Sequence, residues 1–463
     1  MTYTIEKVTT LIGARRYGDR DGNVGFILTD SRSLCFPEET LFFALKSERN
    51  DGHNYIPELY RRGVRNFVVS QVPKGYASDY PEANFLKVVN TLEALQRLAE
   101  RHRDEFNIPI VGITGSNGKT MVKEWLHQLL SPSMFVTRSP RSYNSQIGVP
   151  LSVWLLNEQT QVGVFEAGIS QPGEMLALRD IIQPTIAVLT YLGAAHQENF
   201  ESLEAKCREK IILFHDADTI VYNGDDKTVS GVVNEYKDYK GEKLFWSFRD
   251  TKAPFFVKNV EKKGNLSIIT YIYKGEEDSY SLPFIDEASV TNSIIAAVVS
   301  RRLGLSAEEL DKRMALLEPV AMRLEVKEGQ HGCTLINDSY NSDINSLDIA
   351  LDFMSRRPDH KGRRHTLILS DIFQSGESAK DLYHEVSDLC RKRGVVKFIG
   401  IGPQLCSQSD EIQISEKFFF SNVDEFIDSE VFKSLRDEVI LLKGARQFGF
   451  DQLTELLVRK VHE

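Results

Sequence analysis

Ile110-Val-Gly-Ile-Thr-Gly-Ser-Asn-Gly-Lys-Thr-Met-Val-Lys-Glu124 is the stretch that decides how this chain reads. The apolar run Ile110 to Ile113 predicts a buried strand, and a loop carrying Gly115 and Gly118 follows it. Beyond Lys119-Thr120, residues Val122, Trp125, Leu126, Leu129 and Leu130 fall at helical spacing until Ser131-Pro132 breaks the pattern. Strand, glycine loop and helix N-terminus together make a phosphate cradle. Loop N–H groups and the unpaired N–H groups of the first helical turn converge on an anion, and the helix dipole favours it. Lys119 can reach the terminal phosphates, and the Thr120 hydroxyl can ligate Mg²⁺. The common form of this loop has four residues between its first glycine and Gly-Lys-Thr. Here that first position is Ile113, and the glycines stand at 112, 115 and 118. The stretch implies a protein that handles a nucleoside triphosphate.

A chain of 463 residues is too long for one core, so two or three domains are expected. Its apolar content of 41% and charged content of 26% are those of a soluble globular protein. The net charge of −10, with no basic block to offset it, argues against a nucleic-acid partner. Five cysteines, widely spaced and without a CxxC, suit a reducing compartment and give no zinc site. No apolar signal core and no run of 18 apolar residues occurs, so membrane insertion is not expected and a cytoplasmic location is.

Around the loop the chain divides into three units. Residues 1–104 alternate strand-like runs (Leu41 to Leu45, Asn66 to Ser70) with a helical stretch from Tyr55 to Arg62, which implies a small α/β module. Its Thr29-Asp-Ser-Arg32 turn reads alone as surface, although arginine pairs bidentately with phosphate. A helical pattern from Leu92 to Phe106 leads into the central unit, 105–318. There Gln161 to Glu166 and Thr185 to Tyr191 predict strands of a mostly parallel sheet, with an antiparallel insert over residues 240 to 285. Groups at the carboxyl ends of parallel strands gather at one edge, so Glu166 and His196 are expected beside the cradle. The stretch Ser202 to Phe214, with Lys206, Arg208 and Lys210, reads on its own as a helix with a solvated basic face. Residues 319–463 alternate strands and helices again, in the manner of a Rossmann-like sheet. They lack a GxGxxG, so dinucleotide binding is not supported. The expected fold class is α/β in three domains.

With these residues in hand, the chain resembles the Mur ligases of peptidoglycan synthesis over essentially its whole length. Gly112-Ile-Thr-Gly-Ser-Asn-Gly-Lys-Thr120 fits that family's own glycine spacing. Other segments are similar to the branch that adds D-alanyl-D-alanine to UDP-N-acetylmuramoyl-tripeptide. They are Thr29 to Arg32, Phe42 to Leu45, Asn50 to His53, Asn144 to Pro150 and Asn337 to Asn341. An Asp-Asn-Pro-Arg segment, typical of the branch that adds a diamino residue, does not occur. The resemblance implies that Thr114, Gly115, Ser116, Asn117, Gly118 and Lys119 hold the ATP phosphates. It gives one Mg²⁺ to Thr120 and Glu166, and a second to His196 and a carbamylated Lys210; carbamylation would turn a cation into an oxygen-donor anion that Mg²⁺ prefers. Asn292 would contact adenine, and Arg323 and Asp338 would reach ATP from the last domain. Ser31, Arg32, Asn50, Asp51, His53 and Asn144 would bind the UDP substrate.

Four positions depart from the family pattern: Tyr191 and Ser145 stand where asparagines are frequent, and Ala288-Ser289 where His-Asn is. In some bacteria such a ligase is fused to a downstream alanine racemase, and the resemblance leaves room for this chain to be the front of such a fusion.

The expected reaction is ATP-dependent amide formation. The tripeptide carboxylate attacks the γ-phosphate, an acyl phosphate forms, and the amine of D-Ala-D-Ala displaces phosphate. Lys119, Glu166, His196 and Lys210 are the residues on which it is expected to depend. The sequence leaves open another Mur-type amino-acid-adding ligase, a folate-polyglutamate type enzyme, a P-loop kinase and a non-catalytic nucleotide sensor.

Overall fold

A computed structural model describes residues 2–47, 50–193, 197–237, 239–320, 324–339, 342–356, 362–372, 378–444 and 448–458. Its main elements form three sheets in chain order. The first has five strands. Arg15–Tyr17 runs antiparallel to Asn84–Lys87, and Asn66–Val69, Thr40–Phe43 and Phe26–Leu28 continue it in parallel.

The central sheet has nine strands, with Ile110–Thr114 between Val162–Glu166 and Ile186–Leu189, all parallel. Val136–Arg138 closes one edge. On the other side, Thr219–Asn223, Glu242–Ser247 and Phe255–Lys263 extend the parallel run. Only Leu266–Tyr273 runs antiparallel to its neighbours, Phe255–Lys263 on one side and Glu276–Leu282 on the other. The expected antiparallel insert is therefore a hairpin continuation of the same sheet, beginning after residue 255 rather than at 240. Leu266–Tyr273 alternates buried and exposed side chains, as a strand with one wet face must.

Helix Lys119–Leu130 buries Val122, Trp125, Leu126, Leu129 and Leu130, the residues whose spacing predicted it. It packs in one core with helix Glu287–Arg302. That second helix is buried nearly all round, and its small residues Ser293, Ala296, Ala297 and Ser300 let it lie deep between sheet and neighbour. The opposite face of the sheet carries a separate core with Met175, Leu178 and Ile211.

Helix Thr91–Arg103 joins the first unit to the second by more than chain connection. Leu95 and Leu98 belong to the N-terminal core, and Ala99 to the central one. At its end His102 is buried, with Nε2 donating to the Leu156 carbonyl (3.0 Å) and Nδ1 accepting from the Tyr3 hydroxyl (2.8 Å). Arg103 donates to the carbonyls of Ile182 and Gln183. Burial pushes the His102 imidazolium down to about 4.

The third sheet has six strands in the order Glu325–Glu328, Thr334–Asp338, Glu438–Lys443, Arg364–Ser370, Lys397–Ile401 and Glu416–Phe420. All are parallel except the first. Among the described residues no helix is long and apolar enough to cross a membrane.

Candidate active site

The loop after Ile110–Thr114 has the backbone of an anion cradle. Gly115 sits at φ +144°, where a Cβ would lie 2.1 Å from Thr190 Oγ1, and Gly118 sits at φ +89°, where a Cβ would lie 2.5 Å from Asn292 Oδ1. Neither position tolerates a side chain. Gly118 is the N-cap of helix Lys119–Leu130 and supplies no side-chain cap, so the first-turn N–H groups are left for a ligand. Neighbouring strands brace the loop: Ser116 N donates to Tyr191 O (2.6 Å), and Thr190 Oγ1 donates to Asn117 O (2.5 Å). The Asn117 Nδ2 and Thr114 Oγ1 atoms are buried without a hydrogen-bond partner. Lys119 Nζ lies 2.7 Å from Gly115 O and 3.2 Å from Ser116 O, folded over the loop.

Glu166 ends the strand beside the loop and is fully buried. Its Oε2 accepts from Thr120 Oγ1 (3.1 Å) and Asn144 Nδ2 (3.4 Å). Its Oε1 has no hydrogen bond of good geometry but stands 3.1 Å from Lys123 Nζ. Asn144, expected at the UDP substrate, thus sits against Glu166 and lines the nucleotide-side cavity.

Lys210 approaches from helix Leu203–Ile211. It is buried, with Nζ 3.4 Å from Gly115 O. Burial first, then the charges of Lys119 and Lys206, hold its ammonium well below the ordinary lysine range. Lys206, one turn earlier, is also buried; it donates to Gly193 O (2.5 Å), and burial lowers it to about 8. The expected solvated basic face is therefore split. Lys206 and Lys210 point inward, while exposed Arg208 pairs with Glu235. The i, i+4 spacing places both lysines on the face turned to the sheet, and the carbonyl ends of two strands receive them.

These groups surround a cavity of ≈ 320 Å³ lined by loop residues 115–121, Asn144, Lys210, Asn292 and, from the third sheet, Asp338, Ser346 and Ile349. Asn292 donates to Met121 Sδ (3.2 Å) beside Gly118. Asp338 ends its strand, and its Oδ2 accepts from buried Lys443 Nζ (2.6 Å). Of the expected site residues, His196 and Arg323 lie outside the described residues. Tyr191 is 44% exposed and braces the loop through its backbone.

A hard divalent cation fits this set. Mg²⁺ takes oxygen ligands, typically one or two carboxylates completed by substrate phosphates. Thr120 Oγ1 and Glu166 Oε2 are two such oxygens 3.1 Å apart at the cradle. No cluster of three or more His, Cys, Asp or Glu able to hold an ion occurs among the described residues, so phosphate oxygens would have to complete the sphere.

A second cavity, ≈ 530 Å³, lies in the N-terminal unit and is lined by Thr29, Asp30, Ser31, Arg32, Lys46, Asn50, Tyr55 and Ile147. Arg32 pairs with Asp30 (2.6 Å) at its mouth, and that hydrogen bond holds the Asp30 carboxyl below its usual range. Asp51 and His53 are turned elsewhere. Asp51 accepts from His53 N (3.0 Å) and His53 Nδ1 (2.6 Å), while His53 Nε2 accepts from Ser70 N (3.1 Å). They shape the loop that presents Asn50. Ile147 of this cavity and Asn144 of the other belong to one segment, so the two cavities are neighbours.

The sequence marks neither Lys123 nor Lys443 as a site lysine, although Lys123 stands one helical turn after Lys119, and it puts Lys206 on a solvated face.

Residues 113–300 match the family model of the Mur ligase middle domain. This stretch of the central unit is a Mur ligase middle domain. Among the chain's relatives is the UDP-N-acetylmuramoyl-tripeptide–D-alanyl-D-alanine ligase of Bacillus subtilis (strain 168), 28% identical over 78% of this chain and 76% of that one. Among solved structures, MurF from Acinetobacter baumannii superposes with a TM-score of 0.84 at 21% identity, over 98% of this chain and 99% of that one. MurF from Thermotoga maritima, determined in complex with ADP, gives 0.76 at 22% identity, over 93% and 96%. The likeness extends over the whole three-domain α/β architecture.

Proposed function

We propose that this chain is the ATP-dependent ligase that joins D-alanyl-D-alanine to UDP-N-acetylmuramoyl-tripeptide in the cytoplasm. In this division of labour, residues 1–104 hold the UDP end, 105–318 the ATP, and 319–463 close over the reacting groups. The observation that carries the proposal is the convergence of the cradle, the Thr120–Glu166 oxygen pair and buried Lys210 on one cavity that the third sheet also lines.

Chemically, two anions must meet: the tripeptide carboxylate and the γ-phosphate. Loop N–H groups 115–120 and the helix N-terminus bind the phosphates, and Lys119 exchanges its loop carbonyls for a phosphate oxygen. Bound Mg²⁺ would supply charge neutralisation and alignment of the phosphoryl oxygens. Thr120 and Glu166 would hold one ion. Lys210, kept toward its neutral amine, is suited to capture CO₂ as a carbamate with loss of one proton, which would give a second ion oxygen ligands together with His196. Asn292, which lines this cavity with Met121, would contact adenine, and Asp338 lines it from the third sheet. The acceptor's uridine end would occupy the cavity at Ser31, Arg32 and Asn50, and the segment from Asn144 to Ile147 would lead its peptide toward ATP. Carboxylate attack on the γ-phosphorus gives ADP and an acyl phosphate. The dipeptide amine then attacks the acyl carbon, and phosphate leaves. An acyl phosphate hydrolyses readily, so closure of the third unit serves to exclude water.

Phosphate release measured with each UDP-muramoyl peptide against a panel of amines and dipeptides tests the proposal. Release is expected only with the tripeptide acceptor and D-Ala-D-Ala together. Release with a single amino acid, or phosphate transfer to a stable acceptor, would overturn it. Lys119→Ala should abolish turnover, and near-normal ligation by that variant would remove the cradle from the chemistry.

A further inference from the structure

Lys123 is fully buried, and nothing in the reaction described above uses it. Its ammonium faces four oxygens besides the solvent-free core: Glu166 Oε1 (3.1 Å), Glu124 Oε1 (3.0 Å), the Ser139 carbonyl (2.9 Å) and the Arg141 carbonyl. An ammonium has three protons, so these contacts are shared. Glu124 is held in turn by Arg138 (2.9 Å), which makes a neutral quartet of two cations and two carboxylates. Arg141 lies at φ +50°, a conformation that a non-glycine residue adopts only when its surroundings impose it. Here its carbonyl is turned to Lys123. From the same short segment the Ser139 hydroxyl accepts from Glu166 N (3.2 Å), the Ser142 hydroxyl bonds Thr120 Oγ1 (2.9 Å), and Asn144 Nδ2 donates to Glu166 Oε2 (3.4 Å).

We propose that Lys123 is a positioning residue for ligation: it occupies one oxygen of Glu166, leaves the other aimed at Thr120 and the cavity, and ties the 139–144 segment to that carboxylate. The reasoning rests on the reading of Glu166 as a Mg²⁺ ligand. A carboxylate free at both oxygens could chelate the ion or rotate away. With Oε1 engaged it offers one oxygen in a fixed direction. Because Ser139 and Arg141 share the ammonium, Asn144 and the path toward the N-terminal cavity are fixed in the same stroke. Glu124 competes for the ammonium and so sets how firmly Glu166 is held.

The charge balance gives opposite signs to two substitutions. Lys123→Met leaves a buried carboxylate without its cation, a state that a divalent ion relieves. Mn²⁺ affinity, measured on the ADP-loaded protein by loss of the free Mn²⁺ EPR signal, should then tighten by about ten-fold. Turnover should fall by about 10- to 100-fold, the range seen when partners of a metal ligand are removed. Glu124→Gln leaves Glu166 as the ammonium's one carboxylate partner, and Mn²⁺ affinity should weaken. This second variant keeps the inference testable if Lys123→Met does not fold. Lys123→Arg, which keeps the charge, should return Mn²⁺ affinity toward wild type. A merely structural lysine would lower thermal stability without moving metal affinity and turnover in opposite directions. Glu166→Gln separates the two levels. If it leaves Mn²⁺ binding intact, the metal-ligand reading fails. If it weakens binding while the variants at 123 and 124 leave Mn²⁺ affinity at the wild-type value, the role of Lys123 alone is overturned.

Discussion

Lys443→Met should cost the third sheet about 3–5 kcal/mol, the cost of breaking a buried ion pair from one side. The estimate follows from geometry. Lys443 and Asp338 are register partners on adjacent parallel strands, their charged atoms are 2.6 Å apart, and their side chains are 1% and 8% exposed. Neither group can turn to water when the other is lost, and salt screens such a pair little. Urea unfolding, followed by hydrogen exchange of the amides in Thr334–Asp338 and Glu438–Lys443, reads the loss where it occurs. The pair Asp338→Val with Lys443→Met removes both charges from strand positions and should recover most of that stability. Turnover should stay low in the double variant, because Asp338 also lines the nucleotide cavity. A Lys443→Met protein within about 1 kcal/mol of wild type, or a double variant as unstable as the single, would refute the reasoning.

His102 is pushed down to about 4 from an unfolded value near 6.5, so the folded state holds fewer protons in that window. Stability is then full above pH 6.5, falls as pH drops toward 4, and loses about 3 kcal/mol overall; urea midpoints across pH 4–7 should flatten by that amount in His102→Gln. Lys210→Ala should be inactive and regain part of its turnover with formate or acetate, which would supply the missing oxygen donors; no rescue in a steady-state assay would leave carbamylation without support. Gly118→Ala places a side chain at φ +89° and 2.5 Å from Asn292 Oδ1, so ATP affinity by calorimetry should drop about ten-fold, for a strain of about 1–2 kcal/mol; unchanged binding would show that the loop is not held as described.

Sequence by itself determined the local parts. Glycines at 115 and 118, the lysine at 119 and the apolar spacing from Val122 to Leu130 define a strand, cradle and helix whose periods and backbone demands are encoded within about 20 consecutive residues. Its strand-end position gave Glu166, because carboxyl ends of parallel strands meet at one edge, whereas Asp338 followed from the family resemblance. The direction of a side chain and the register of distant strands are set by packing, and these only the tertiary structure decided. A lysine-bearing helix that looked solvated buries Lys206 and Lys210, since the loop carbonyls they meet come from outside the helix, 13 and 95 residues away. Asp51 and His53 turn to each other and to Ser70 rather than into the cavity, because a two-residue hydrogen-bonded turn satisfies them first. The partners Lys443 and Lys123 find their carboxylates 105 and 43 residues away, a distance that no local pattern can span.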